Sequence, residues 1–424
     1  MSMAVSGSIT ADALTKDSTF VQYTERNSDN VGEIDVSGGS SFSLGEDQRA
    51  VQDLVRRVAT ERVAKRAAEI DRTAEYPQDM FDLLRELGLL TLPFPGEYGG
   101  SNSLLSSCVA IEELGRVCYN TAYLLLVQWT PIGGILAGGT EEQKQRLLPG
   151  LANGTLRAGF SLTEPQSGSD VSGIRTRAKR DGAGYRLSGN KIWCTNAAVS
   201  DFILVAARSG EEERGAINFF IVDRGMKGFE IGRKEDKLGA RGVPSSALFF
   251  DNVYIPPENM LGREGEGFKN VMEALNASRP LIAARGVGLA QGAMDLAAEF
   301  VSNRQAFGQS VSDFQGVRWM LADMAIGVDA ARLLTYRAAA MIDAGAKGPE
   351  MARAAAVAKC FASDTAMKVA TDAVQLFGAA GISNEYPINR YFRDAKVLQI
   401  IEGTNQIQRN IIARTILGST KRKV

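Results

Sequence analysis

The residue best placed to do chemistry is Glu402, in the segment VLQIIEGTNQIQR. It follows the apolar residues Val397, Leu398, Ile400 and Ile401 and is followed at once by Gly403. Burial among apolar neighbours would raise the pKa of a glutamate toward neutrality, and a helix break at Gly403-Thr404 would aim it into a cavity, as suits a general base. The same pattern is also typical of an exposed glutamate on a helix surface, and the two interpretations stay open.

The chain contains no histidine. A Ser-His-Asp triad, an HExxH zinc site and any imidazole acid or base are therefore excluded. A general base must be Asp, Glu, Lys, Tyr or Cys. The four cysteines form no CxxC pair, so we expect no metal site and no disulfide framework, in keeping with a reducing cytosol.

Two polar segments in the middle of the chain could contact a ligand. GFSLTEPQSGSD, residues 159 to 170, offers Thr163, Ser167 and Ser169 on a loop that suits a phosphate-bearing ligand or forms an ordinary turn. In KIWCTN, Trp193 and Thr195 share one strand face and present a stacking surface beside a hydroxyl, or else the tryptophan belongs to the core.

Two arginines lie on one predicted helix. Arg279 precedes Pro280, where it could bind a carboxylate or hold a loop, although a structural ion pair is the default interpretation. Arg285 follows Ile282 by three residues and so lies near an apolar face, from which its side chain could extend to solvent.

Composition limits the classes of partner. The 424 residues, 45% of them hydrophobic, are enough for two or three domains. With 48 basic and 49 acidic residues the net charge is −1, and no basic block predicts nucleic-acid binding. No uninterrupted apolar run reaches roughly 18 residues, so we expect neither a membrane span nor a secretory signal.

The hydrophobic period changes twice along the chain. Residues 1–43 have a polar composition that predicts a flexible tail. Residues 44–155 show a helical period, with Gly88 as a C-cap; residues 156–262 alternate as in an antiparallel sheet; and residues 263–424 are helical again. In the last part we expect a four-helix bundle, with helices near 268–305, 312–345, 349–378 and 386–416. The fold class is therefore α+β multidomain, without βαβ units.

The glycine-rich segment GVGLAQG, residues 286–292, lies within the first of these four helices and does not follow a strand. A phosphate-binding loop needs a strand before it and a helix after it. We therefore interpret these glycines as a site of close helix packing.

Five segments resemble the acyl-CoA dehydrogenase family, in the family's order: LTEPQSGSD, KIWCTN, NRQAFGQSVSDFQ, QLFGAAG and IIEGTNQIQR. The resemblance extends from about residue 45 to 420. It implies FAD, held between the sheet domain and the C-terminal bundle, with an adenine site shared between subunits, and hence at least a dimer and commonly a tetramer built as a dimer of dimers. The cofactor-binding positions that it implies are Phe160, Leu162, Thr163, Ser169, Trp193, Thr195, Arg304, Phe307, Gln315, Gln375, Phe377, Gly378, Ala379, Thr404, Asn405 and Gln406.

The resemblance also identifies Glu402 as the base of the family's EGT motif. It implies removal of the α proton of an acyl-CoA thioester while a hydride leaves the β carbon for flavin N5, giving the 2,3-enoyl-CoA, with an electron-transfer flavoprotein as electron acceptor. Implied substrate-binding positions are Ser169, Arg279, Ile282, Ile401 and Gly403. The alternatives are an oxidase using O₂, a dehydrogenase of carrier-bound acyl groups and, more distantly, a non-enzymatic scaffold.

Three positions bear on the branch of the family. The isovaleryl and long-chain enzymes place the carboxylate near the position of Ser278, which is not acidic here, so those branches are disfavoured. Ile401 replaces the tyrosine of medium-chain enzymes, which either leaves room for branched or cyclic acyl groups or reflects drift. If Arg285 faces the acyl pocket, it could pair with a carboxylate of the substrate.

Overall fold

The computed structural model describes residues 43–209, 216–265 and 267–418. The predicted tail therefore lies outside the described residues apart from Ser43. In the described chain the elements follow the order that the hydrophobic period predicts: helices, then a sheet, then helices. The predicted fold class is confirmed, while the exact residues that divide the domains stay a prediction.

The first helical part is built on amphipathic segments. Helices α1 (Glu46–Val58) and α2 (Ala64–Thr73) are joined through a π-helical turn, Ala59–Val63, and α3 (Gln78–Glu86) follows. Gly88 adopts φ 70° just after α3, as the predicted C-cap requires. The remaining helices are α4 (Leu104–Val117), α5 (Tyr119–Gly138) and α6 (Glu141–Ala152).

Helix α5 forms the centre of this part. By length and hydropathy it is the one helix, within the described residues, that could cross a membrane. However, 72% of its most apolar window is buried inside the protein, and core helices of globular proteins pass the same test. Its tyrosines Tyr119 and Tyr123 face the next helical part and take part in the candidate site.

The middle part is a seven-stranded sheet. Its strands are β1 (Ala158–Ser161), β2 (Arg177–Asp181), β3 (Gly184–Thr195), β4 (Phe202–Ser209), β5 (Ile217–Asp223), β6 (Phe229–Lys234) and β7 (Ser245–Ile255). Four pairings are antiparallel, as predicted: β2–β3, β3–β7, β4–β5 and β6–β7. The sheet differs from the purely antiparallel prediction because β1 and β2 both run parallel to β4. Alternation of apolar residues reports burial and carries no information on strand direction.

The last part contains α7 (Gly267–Asn303), the short hairpin strands β8 (Gln305–Ala306) and β9 (Gln309–Ser310), α8 (Gln315–Asp343) and α9 (Gly348–Phe377). Two shorter helices follow, α10 (Ile388–Leu398) and α11 (Asn405–Leu417). The single helix predicted near 386–416 is thus wrong, because the chain leaves the helical conformation between Leu398 and Asn405. Glu402 lies in that interruption.

Helix α7 is central to the packing of the helices, since it contacts α4, α5, α8 and α9. Glycines make the α4 contact possible. A Cβ atom on Gly288 would lie 2.1 Å from the backbone oxygen of Glu112, and one on Gly292 would lie 1.9 Å from that of Arg116. The prediction that GVGLAQG serves close helix packing is confirmed.

Candidate active site

Glu402 lies in the turn between α10 and α11 with φ +50°, followed by Gly403 with φ +88°. These two successive residues in the left-handed region form a turn from which the Glu402 side chain reaches Ser278 on α7. The turn ends at Thr404, whose hydroxyl accepts a hydrogen bond from the backbone N–H of Ile407 (3.4 Å) and so caps α11. The predicted break at Gly403-Thr404 is present, but it begins at Gln399, directly after α10 ends at Leu398.

A buried lysine on a neighbouring helix holds this turn in place. The Nζ of Lys359, on α9, donates to the backbone oxygen of Gly403 and to Oδ1 of Asn405, at 2.9 Å each. Asn405 also bonds Ser363 and Asp364. The side chain of Asn405 is therefore occupied by contacts within the chain, and in this structure its role is to hold the turn. Sequence reasoning missed Lys359, although a lysine within the alanine-rich run AAAVAKCFA is a signal of a buried partner.

Lys359→Met should loosen this turn without breaking the helix beneath it. Loss of two hydrogen bonds from a buried cation should lower the free energy of unfolding by about 2 kcal/mol. Urea unfolding followed by circular dichroism measures the change. Lys368→Met is the matched control, since Lys368 is an exposed residue of the same helix, paired with Asp372, and should cost at most about 1 kcal/mol. Equal effects of the two substitutions would contradict the anchoring role.

The environment of the Glu402 carboxyl group favours a proton acceptor near neutral pH. Burial raises the pKa of Glu402 above the ordinary glutamate value, and the charges of Arg285, Arg279 and Lys359 oppose that shift. The hydroxyl of Ser278 donates to Oε2 at 3.2 Å. The interpretation of Glu402 as an exposed helix glutamate is therefore wrong. The residue lies outside any helix, about half of its surface is covered, and its carboxyl group is desolvated.

The two arginines of α7 differ from their default interpretations. Arg285 is fully buried, at 0% exposure, so the suggestion that it extends to solvent is wrong. Arg279 is 5% exposed, and its Nε and Nη1 atoms have no hydrogen-bond partner in the described part of the chain, so the structural ion pair is not observed. The charges of both arginines lower the pKa of Glu402, so both belong to the site around that residue.

Tyr123 links the sheet to the helices at this point. Burial raises the pKa of its hydroxyl group. The charge of Glu402 also raises that pKa, whereas Arg285 and Thr195 lower it. Thr195 is the last residue of β3 and Glu402 lies between α10 and α11, so three separate parts of the chain meet here. Sequence reasoning missed Tyr123, because nothing in its helical apolar context distinguishes it from a core residue.

The sheet presents an aromatic surface beside this point. Trp193 is 54% exposed and adopts φ +59°, at an irregularity of the β3–β7 pairing between Lys191 and Cys194. A bulge of this kind turns a side chain out of the regular alternation. The interpretation of Trp193 as a core residue is therefore wrong, and its indole is free to stack against a ligand.

The loop after β1 is held by a buried ion pair. The Nζ of Lys191 donates to Oε1 of Glu164 (2.7 Å) and to the backbone oxygen of Leu162 (3.0 Å). Although burial works the other way, Lys191 and backbone N–H donors lower the pKa of Glu164 to about 2. Around this pair, Phe160, Leu162 and Thr163 are half-buried and Ser169 is exposed. The ion pair thus holds the start of the loop in place, while Thr163 and Ser169, here called the rim of the loop, are at least partly accessible.

The remaining predicted positions divide into accessible and buried ones. Exposed on the surface are Arg304, Phe307, Gln315, Gln375, Gly378, Ala379 and Gln406. Phe377 is instead buried and stacks on Phe300 at 4.2 Å, so it holds α9 against α7. Ile282 is 1% exposed within the core, whereas Ile401 is half-buried against it.

Comparisons with known proteins agree over most of the described chain. Three family models match: "Acyl-CoA dehydrogenase, N-terminal domain" at residues 45–155, the middle domain at 159–253 and the C-terminal domain at 265–417. Cyclohexane-1-carbonyl-CoA dehydrogenase of Geobacter metallireducens is 41% identical over 378 residues, which cover 89% of this chain and 99% of that protein.

Solved structures of similar proteins share the fold. Butyryl-CoA dehydrogenase from Megasphaera elsdenii is 37% identical with a TM-score of 0.85, covering 89% of this chain and 100% of that one. A glutaryl-CoA dehydrogenase from Mycobacterium smegmatis, solved in complex with FADH2, is 28% identical with a TM-score of 0.83, covering 88% of this chain and 95% of that one.

Proposed function

The chain belongs to the acyl-CoA dehydrogenase family and is an oxidoreductase, and from this premise we propose that it converts an acyl-CoA thioester to the 2,3-enoyl-CoA with Glu402 as the base. The observation that carries the proposal is the Glu402 carboxyl group, held on a left-handed turn, desolvated, and faced by the hydroxyl of Ser278.

The protein's part in the reaction is to take a proton and to stabilise the charge that remains. Because burial raises the pKa of Glu402, its carboxylate is a stronger base than an exposed glutamate. The α proton of a thioester is a weak acid, so the enolate-like charge on the thioester oxygen needs a donor. The backbone N–H of Glu402 makes no hydrogen bond within the described residues, so it is available for that oxygen.

The residues present fit a flavin. A large apolar side chain on a protein surface marks a binding site when neighbouring polar groups can orient a ligand. Trp193 offers an exposed indole face, and Thr195, two residues further along β3, offers a hydroxyl. Trp193 and Thr195 would hold the ring, and the rim of the loop at Thr163 and Ser169 would contact its polar side. FAD supplies, when bound, the acceptor for the hydride that leaves the β carbon.

Exposed apolar residues support an oligomer. Trp319, Ile326 and Leu333 are 62%, 68% and 49% exposed and recur every seventh residue of α8, so they form one stripe on that helix. Phe307, on the hairpin before α8, is 96% exposed. We propose that a second copy of the chain covers these residues, in a homotetramer in which the adenine end of FAD lies between subunits near Arg304, Phe307, Gln315 and Gln375.

The proposal is tested by adding acyl-CoA thioesters to purified, FAD-loaded protein under anaerobic conditions. The protein should be yellow, and at least one member of a panel of saturated acyl-CoA thioesters should bleach the flavin absorbance, with electron-transfer flavoprotein as the expected acceptor in turnover. If no saturated thioester bleaches the flavin, the proposed reaction is wrong. Peroxide formed in air without another acceptor would indicate an oxidase instead.

A further inference from the structure

Arg285 is a buried cation whose N–H donors have no hydrogen-bonded partner in the described chain, although the charge of Glu402 lies near enough to interact with it. It is 0% exposed, and its Nε, Nη1 and Nη2 atoms have no hydrogen-bond partner among the residues that the structure describes. Burying an unpaired charge is costly, so such groups are normally found paired. Arg332 shows the usual solution in the same molecule, since it bonds both Glu112 and Gln291.

Two aromatic rings position the Arg285 guanidinium group but leave its donors free. Its central carbon lies 3.8 Å from the ring centroid of Tyr123 and 4.4 Å from that of Tyr119, both on α5. Cation–π contacts of this kind stabilise the charge through the face of the ring and use none of the N–H groups. The planar group is therefore held in one orientation with its N–H donors unused, which is the arrangement that binds a carboxylate through two parallel hydrogen bonds.

The position of Arg285 relative to Glu402 indicates where that carboxylate comes from. Ser278, which contacts Glu402, and Arg285 are seven residues apart on α7, so both lie on one face of the helix about 10 Å apart. Of the nearby cations, Arg285 lowers the pKa of Glu402 the most. The pKa values of Tyr119 and Tyr123 are in turn lowered by Arg285 and raised by Glu402. An acyl group whose α carbon meets Glu402 can thus point its far end along α7 toward Arg285.

We propose that Arg285 binds the distal carboxylate of the acyl group, so that the substrate is the CoA thioester of a dicarboxylic acid. This inference rests on the proposed function and narrows its substrate class. The carboxylate supplies hydrogen-bond acceptors for the N–H donors of the buried guanidinium group, and thioesters with uncharged acyl chains leave those donors without a partner. Discrimination against uncharged chains therefore follows from the same contact that gives affinity.

Binding to an enzyme that cannot turn over tests the proposal. FAD-loaded Glu402→Gln protein is titrated, by isothermal calorimetry, with glutaryl-CoA against pentanoyl-CoA and with adipyl-CoA against hexanoyl-CoA. At least one dicarboxylic thioester should bind about 10- to 100-fold more tightly than its uncharged partner, as expected for hydrogen bonds between charged groups. Added Arg285→Met should remove that preference, and Arg285→Lys should restore only part of it, because a lysine lacks the planar pair of donors.

The controls separate the possible failures. Arg353→Met changes an exposed arginine of α9 and should leave the preference intact. If charged and uncharged thioesters bind equally well, or if Arg285→Met weakens both to the same extent, Arg285 serves Glu402 or the fold, and the dicarboxylic assignment is wrong while the proposed function stands. If no acyl-CoA binds to the FAD-loaded protein at all, the proposed function itself fails, and this inference fails with it.

Discussion

Glu402→Gln should abolish bleaching of the flavin by acyl-CoA while leaving FAD bound. The amide keeps the size of the side chain and can still accept from Ser278, but it cannot take a proton. A positioned general base typically contributes about 10² to 10⁴-fold to a rate, so the rate of anaerobic flavin reduction should fall by at least that factor. Stopped-flow absorbance measures the rate, and the ratio of visible to ultraviolet absorbance measures retained FAD.

A matched control tests whether the effect belongs to this carboxylate. Glu385 lies on the surface shortly before α10, and Glu385→Gln should leave the reduction rate unchanged. In the unsubstituted protein the rate should rise with pH as Glu402 loses its proton, over a range higher than that of an exposed glutamate, since burial raises the pKa of the group. Bleaching that survives in Glu402→Gln would show that another group removes the proton.

Gly288→Ala should destabilise the protein although alanine is the better helix former. A methyl group at this position would lie 2.1 Å from the backbone oxygen of Glu112, and backbone atoms cannot move aside as a flexible side chain can. Helices α4 and α7 would have to separate along their contact. We expect a loss of about 3 kcal/mol in the free energy of unfolding, the upper part of the range for overpacked cores. The shift of the urea midpoint, at an unchanged slope, measures it.

Gly316→Ala supplies the comparison. Gly316 lies in the first turn of α8, and a Cβ atom there would meet nothing within 4 Å. Replacing such a glycine should be neutral or stabilise the protein by up to about 1 kcal/mol, because the unfolded chain loses conformational freedom. Similar midpoints for Gly288→Ala and Gly316→Ala would refute the close packing of α4 on α7.

The features that the sequence predicts correctly are those that depend on neighbouring residues. The helical and strand periods, the Gly88 cap and the packing glycines of α7 all follow from local patterns. The sequence predicts the interruption near Glu402 only in part, since it indicates a break at Gly403-Thr404 whereas α10 ends at Leu398. The residues from Val397 to Ile401, apolar except for Gln399, predict a continuous helix. The turn that replaces it is held by contacts with distant residues, among them Lys359, more than forty residues away.

The features that the sequence does not predict are set by contacts between distant segments. The sequence around Arg285 predicts a residue of an amphipathic helix. In the fold, Tyr119 and Tyr123 of α5 lie against its guanidinium group. Positive φ values at Trp193, Phe307 and Glu402 likewise depend on the surrounding structure, since none of these residue types favours that conformation by itself. These three are predicted site residues other than glycine, and no count of residue types reveals their backbone conformation.

The backbone of Glu402 has a consequence for how this protein can change. A left-handed conformation costs a residue with a side chain roughly 1 kcal/mol and costs glycine almost nothing. A mutation to glycine at position 402 would relieve that cost and remove a desolvated carboxyl group, while the turn stays anchored through Lys359. Laboratory evolution that rewards heat resistance alone would therefore favour inactive descendants at this codon, and a screen must demand turnover as well if catalysis is to survive it.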